Sequence, residues 1–155
     1  VFNPQILQKD ITLKYELPKE SITIRYAEQA FLEIFDNLLS NAIKFSPKFT
    51  QVTVIARLLE DGSFYVAVHD SGPGITKEDE KEIFGKFKQL SAKPTDGENS
   101  TGLGLSIAKE LADKMHSELY FKPGIALGTE FYLIISKDNV ILPEKAYLSA
   151  ENSIF

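Results

Sequence analysis

Apolar residues alternate from Ile11 to Leu17 (Ile11, Leu13, Tyr15, Leu17) and again at Ile22, Ile24 and Tyr26, with Pro18–Glu20 as a turn between them. The chain is therefore expected to open on two adjacent strands. From Glu28 to Phe45 the period lengthens to that of a helix: Phe31, Ile34, Phe35, Leu38, Leu39, Ala42 and Ile43 form one apolar stripe. Ser46-Pro47 ends it, because the residue before a proline is pushed out of the α region. Val52–Leu59 and Phe64–Val68 are expected strands around Asp61-Gly62, a dipeptide suited to a tight hairpin turn, and the second stops at Asp70. Thr76–Ile83 follows as a short acidic helix, and Ser91–Ser100, with Pro94 and Gly97 and no periodicity, as a polar loop. Leu103, Ile107, Ala108, Leu111 and Met115 space out a second amphipathic helix, and Leu119–Phe121 and Thr129–Ile135 close the domain as strands around Pro123-Gly124. Residues 137–155 carry one strand-like run at Val140–Leu142 and are otherwise expected to be a tail or linker. Strands segregated from two main helices, without strict βαβ alternation, predict an α/β two-layer sandwich with a sheet covered on one face.

Composition narrows the function classes. A chain of 155 residues, 43% hydrophobic and 25% charged, fits one globular domain with a core that needs no disulfide or metal staple. The absence of cysteine excludes thiol nucleophiles, Cys-based zinc sites and disulfides, and two histidines, His69 and His116, cannot make a three-ligand metal site alone. With 17 basic against 22 acidic residues and a net charge of −5, nucleic acid is not an expected partner. No apolar run approaches the ~20 residues that span a bilayer, and the N-terminus lacks the pattern of a signal peptide. Starting at Val1 without an initiator methionine, the chain is expected to be a domain of a longer protein, with any membrane anchor outside this fragment.

Two features go beyond a generic fold. The first helix carries Glu33, Asn37, Ser40, Asn41 and Lys44 on the stripe opposite its apolar face. Spacing alone gives a solvated face, but asparagine is a poor helix former, and two in successive turns cost ~0.5 kcal/mol each relative to alanine. A carboxamide oxygen is a hard, neutral donor suited to Mg²⁺, and a lysine one turn on can meet phosphate. Five of the nine glycines (Gly72, Gly74, Gly102, Gly104, Gly128) cluster at strand or helix ends. Each cluster alone is an ordinary turn; together they favour close approach of backbone N–H groups to a ligand. Gly102-Leu103-Gly104-Leu105 opens a helix, where free N–H groups and the dipole favour an anion such as phosphate. No Gly-Lys-Ser or Gly-Lys-Thr of a Walker loop occurs, Ile107 stands where a dinucleotide fingerprint needs its third glycine, and no G-x-S-x-G elbow is present.

In their order, these clusters resemble the nucleotide-binding domain of sensor histidine kinases, in the superfamily that includes DNA gyrase and the Hsp90 chaperones. Asn37-Leu38-Leu39-Ser40-Asn41-Ala42-Ile43-Lys44-Phe45-Ser46-Pro47 is similar to the N box and Asp70-Ser71-Gly72-Pro73-Gly74-Ile75 to the first glycine box. Ile83-Phe84-Gly85-Lys86-Phe87-Lys88-Gln89 resembles the F box, Thr101-Gly102-Leu103-Gly104-Leu105-Ser106-Ile107 the second glycine box, and Gly128-Thr129-Glu130-Phe131 the third. The resemblance covers residues 11–136 and implies the Bergerat sandwich, a mixed, mostly antiparallel sheet covered on one face by helices. Residues 1–10 are then expected to be a linker from a missing dimerisation domain, and 137–155 a tail.

The resemblance also implies roles. Asn41 would coordinate Mg²⁺ on the triphosphate of ATP, beside Asn37, with Lys44 on phosphate oxygens and Phe45 against the nucleotide. Asp70 would accept from the adenine 6-amino group, where guanine offers a carbonyl. Thr129 would support the base through a water, with Gly72, Gly74 and Ile75 lining its pocket. Thr101, Gly102, Leu103, Gly104 and Leu105 would wrap the phosphates, and Ser91–Ser100 would be the ATP lid, anchored at its root by Phe84 and Phe87. Core packing is an equal reading of these two phenylalanines. In the gyrase-like branch a glutamate aligned with Asn37 activates water; an amide cannot serve as that base, so ATP would be held for transfer.

The implied acceptor is a histidine on a separate helical dimerisation domain, since neither His69 nor His116 lies in a His-Glu-Leu-Arg-Thr-Pro setting. A response regulator would act downstream. The fragment would be monomeric and cytoplasmic, its parent a homodimer for which an inner-membrane anchor stays open. Two other readings also stand: an anti-sigma-type serine kinase, and a nucleotide-gated module without phosphoryl transfer. The chain departs from the family pattern at Ser117 and Ala126, where glycines are usual, and at Glu28, where aspartate is.

Overall fold

The computed structural model describes residues 4–88, 91, 93–95, 101–123 and 128–142. Of the expected loop Ser91–Ser100 it therefore covers Ser91 and Lys93–Thr95, and of the expected tail 137–142; Gly97, Gly124, Ala126 and 143–155 lie outside the described residues. The elements, in order, are α1 (Pro4–Gln8), β1 (Thr12–Glu16), β2 (Thr23–Ile24), α2 (Glu28–Phe45), β3 (Gln51–Leu58), β4 (Phe64–His69), α3 (Lys77–Glu80), α4 (Gly104–Lys114), β5 (Glu118–Pro123), β6 (Thr129–Ile135) and β7 (Val140–Ile141).

The main sheet has the order β1-β3-β4-β6-β5, with β1 parallel to β3 and every other pair antiparallel. Helices α2 and α4 cover one face. Ile34, Leu38, Leu39, Ala42 and Ile43 of α2 and Ala108 and Ala112 of α4 are buried with Val52, Val54, Val66, Val68, Phe131 and Leu133 of the sheet. Burial of a large aliphatic side chain contributes about 1.5–3 kcal/mol, which outweighs the poor helix propensity of the two asparagines on the opposite stripe of α2. The predicted sandwich and its mostly antiparallel sheet are what the chain forms.

The two opening strands do not pair with one another. β1 joins β3, in register from Thr12–Gln51 to Glu16–Ile55, while the two residues of β2 pair with β7. The physical reason lies in partners distant in sequence: β1 packs Leu13 against the core at the edge of β3, and β2 takes the segment 137–141, whose 3₁₀ turn places Asn139 to accept from Arg25 N at 2.7 Å.

Helix ends follow local chemistry. Ser46, extended at ψ 133° before Pro47, stops α2, and its buried hydroxyl accepts from Ser71 N at 3.1 Å. That bond ties the end of α2 to the turn after β4. Helix α4 ends with His116 in the left-handed region (φ 52°), so that Ser117 N reaches back to Ala112 O at 2.9 Å, a closure usually given to glycine. No helix among the described residues is long and apolar enough to cross a membrane.

Candidate functional site

The last rung of the β4–β6 ladder pairs His69 with Glu130, so the next residues outward, Asp70 and Thr129, meet at the end of the sheet. Asp70 N donates to Thr129 O at 2.9 Å, and Asp70 Oδ1 accepts from Gly72 N at 2.8 Å and Thr129 N at 3.1 Å. Oδ2 has no hydrogen-bond partner among the described residues. Asp70 is 5% exposed, and this burial pushes its carboxyl above the usual aspartate range against the opposing pull of the two N–H donors. Gly128, at φ +100°, makes the approach possible: a Cβ there would stand 2.0 Å from Asp70 O. The carboxylate lines a narrow cavity with Asn41, Phe45, Gly74, Ile75 and Thr129.

Asn41 and Phe45 also line a neighbouring cleft of about 280 Å³ between α2 and the start of α4. Its walls are Asn37, Ser40, Asn41 and Lys44 on one side and Thr101 to Leu105 on the other. No side chain caps α4, and its first intrahelical acceptor pair is Ile107 N to Leu103 O at 2.9 Å, which leaves the earlier N–H groups for an anion. Asn37 donates through Nδ2 to Glu33 O at 2.9 Å, leaving its amide oxygen against α4; a Cβ on Gly104 would lie 2.9 Å from that oxygen. Asn41 makes no hydrogen bond and Lys44 no ion pair among the described residues. The cleft thus presents a carboxamide, an ammonium and helix N–H groups, and the adjoining cavity a buried carboxylate.

The expected site residues are brought together with two exceptions. Gly72 sits behind the cavity and acts through its N–H on Asp70. Phe87 lines neither compartment; its backbone is left-handed (φ 57°) and it is 73% exposed, whereas Phe84 packs on Phe121 at a ring separation of 6.2 Å. The cleft also contains Ser40 and Lys88, which sequence reasoning left out of the site. Ser40 was visible on the polar stripe. Lys88 had its place in the F-box resemblance, just before the loop, as a signal, and it reaches the cleft because Gly102 folds back onto it, so closely that a Cβ at 102 would lie 2.5 Å from Lys88 O.

Behind Asp70, on the sheet face away from the helices, Glu130 accepts from Tyr65 and pairs with Lys122 at 2.6 Å and His69 at 3.5 Å. Burial is the largest single influence on Glu130 and acts upward, but the bonds from Lys122 and Tyr65 prevail and its carboxyl lies below the usual range. Burial, with the neighbouring carboxylate, pushes the Tyr65 hydroxyl up to about 12.

Sheet, helices and cleft together define an α/β-sandwich nucleotide-binding domain. The chain belongs to the family described as Histidine kinase-, DNA gyrase B-, and HSP90-like ATPase, which matches residues 26–139. It is 32% identical over 122 residues to the swarming motility regulation sensor protein RssA of Serratia marcescens, covering 79% of this chain and 25% of RssA. To the sensor histidine kinase TmoS of Ectopseudomonas mendocina it is 36% identical over 142 residues, 92% of this chain and 14% of TmoS. The chain spans a quarter or less of the length of these relatives. The solved structure of full-length ShkA in complex with AMPPNP matches with a TM-score of 0.71 and 28% identity, over 85% of this chain and 27% of that one.

Proposed function

We propose that this chain is the ATP-binding catalytic part of a sensor histidine kinase, which donates the γ-phosphate of ATP to a histidine on a separate helical dimerisation domain. The observation that carries the reading is the buried Asp70 carboxylate, one oxygen held by Gly72 and Thr129 and the other without a partner among the described residues, beside a cleft that ends at the uncapped start of α4. In this reading Asp70 Oδ2 accepts from the adenine 6-amino group, which selects adenine over guanine. Phe45 and Ile75 pack on the base, and Thr129 supports it.

Lys44 and the N–H groups from Gly102 to Leu105 hold the phosphates. Asn41 supplies a neutral oxygen toward Mg²⁺; no group of three acids or histidines among the described residues is arranged to hold a metal ion, so the phosphates would provide the remaining charge. The ion neutralises phosphate charge when bound. Asn37, an amide with its nitrogen committed to Glu33 O, cannot take a proton from water, so the site holds ATP rather than hydrolysing it. The phosphoacceptor domain, a response regulator downstream and a cytoplasmic location complete the proposal.

Calorimetry with AMPPNP, with and without Mg²⁺, tests the binding, and phosphorylation of a separately supplied dimerisation domain tests the transfer. Mg²⁺-dependent binding is expected, with transfer lost in Asn41→Ala; undiminished transfer in that variant would remove Asn41 from its role.

A further inference from the structure

Lys9, a basic residue, is only 1% exposed and stands outside the family motifs, directly after α1. Its ammonium donates to the carbonyl oxygens of Ile43 at 2.9 Å, Lys44 at 3.0 Å and Ser46 at 3.5 Å. These lie at the C-terminal end of α2, where carbonyls lack helical partners and the dipole favours a cation. Its main chain is tied to the same corner, since Lys9 O accepts from Phe49 N at 2.9 Å. An ammonium is buried only when such partners compensate its lost hydration.

A plain helix cap would end there, but the same oxygens have a second claimant. Thr95 donates its N–H to Lys44 O at 3.2 Å and its hydroxyl to Lys44 O at 3.3 Å and Ser46 O at 3.0 Å. Lys44 O is shared by Lys9 Nζ and the Thr95 N–H, and Ser46 O by Lys9 Nζ and the Thr95 hydroxyl, whose one hydrogen serves one acceptor at a time; donors that share an oxygen weaken each other's bond. Lys9 and Thr95 therefore compete for acceptors on the very turn whose side chains, Lys44 and Phe45, line the cleft.

We propose that Lys9 is a positioning residue for the nucleotide site: it fixes the last turn of α2, hence Lys44 and Phe45, in competition with Thr95. This rests on the reading of the cleft as an ATP site. The segment before β1 thereby reaches the cleft and Thr95 through one pair of carbonyls.

Lys9→Met keeps the aliphatic stem and removes the donors. Calorimetry with AMPPNP is expected to show affinity reduced at least about threefold at unchanged stoichiometry; a merely structural lysine would lower the competent fraction and leave the affinity of the folded molecules alone. Amide hydrogen exchange gives a readout independent of nucleotide. In Lys9→Met the Ser46 amide, bonded to Ala42 O at 3.0 Å, exchanges faster and the Thr95 amide slower, whereas general loosening would speed both. An affinity change under threefold, or acceleration at both amides, overturns the proposal. Should the wild type bind no AMPPNP, the ATP reading fails and the assignment of Lys9 to the cleft with it, while opposite exchange changes would still establish the competition. If Lys9→Met does not fold, Thr95→Val, at an exposed position, carries the test: loss of its hydroxyl tightens the Lys9 grip and slows Ser46 exchange, and unchanged exchange overturns the competition.

Discussion

Asp70 and Thr129 hold each other by two hydrogen bonds of opposite sense, Asp70 N to Thr129 O at 2.9 Å and Thr129 N to Asp70 Oδ1 at 3.1 Å. One carboxylate oxygen is thus spent on the fold, and the other has no hydrogen-bond partner among the described residues. Asp70→Asn is expected to weaken AMPPNP binding by at least about tenfold, ~1.4 kcal/mol, because an amide in this place can turn a donor toward the adenine amino group. Equal affinities by calorimetry would rule out base reading by Asp70.

The burial that raises the Asp70 carboxyl gives a pH signature. Its ionised form accepts the bond, so affinity falls as pH drops through a range above the ordinary aspartate value of 3.8. The ratio of wild-type to Asp70→Asn affinity removes the titration of the nucleotide itself. That ratio is expected to shrink on acidification, starting above the usual carboxylate range; a ratio constant down to that range would contradict it.

Glu130 has the opposite sign. Its carboxyl is lowered in the folded chain, so it adds stability that is fully present above the ordinary glutamate value of 4.5 and lost as pH falls through the lower folded value. Glu130→Gln is expected to cost about 1–3 kcal/mol at neutral pH, because Lys122, Tyr65 and His69 lose a charged acceptor. Urea unfolding at neutral pH and in acid should show the gap between variant and wild type closing in acid.

His116 occupies a left-handed backbone conformation, φ 52°, at the close of α4. An L side chain costs about 1–2 kcal/mol there, which glycine avoids. His116→Gly, part of it offset by glycine's greater freedom when unfolded, is expected to raise the urea midpoint by an amount equivalent to ~0.5–1 kcal/mol. A lower midpoint would show that the imidazole contributes more than the backbone strain removes.

The helices, most strands and the five motif clusters were legible in the chain because they rest on local rules: apolar spacing, the Ser46-Pro47 stop, turn-forming dipeptides. The order of the clusters was enough to indicate the family. What tertiary structure decided are relations between residues remote in sequence. β1 passes over its neighbour to run beside β3, since pairing is settled by which sheet edge buries Leu13. Asp70 finds Thr129 only through the β4–β6 register, Lys88 enters the cleft only through the fold-back at Gly102, and Phe87 leaves it through a left-handed turn that periodicity does not encode. Lys9 showed no signal at all, because a lysine in a polar segment is ordinarily solvated; its burial exists only once the carbonyl end of α2 is packed against it. Local propensity and pattern write the elements, whereas the electrostatics of the cleft arise from groups that meet only when those elements are stacked.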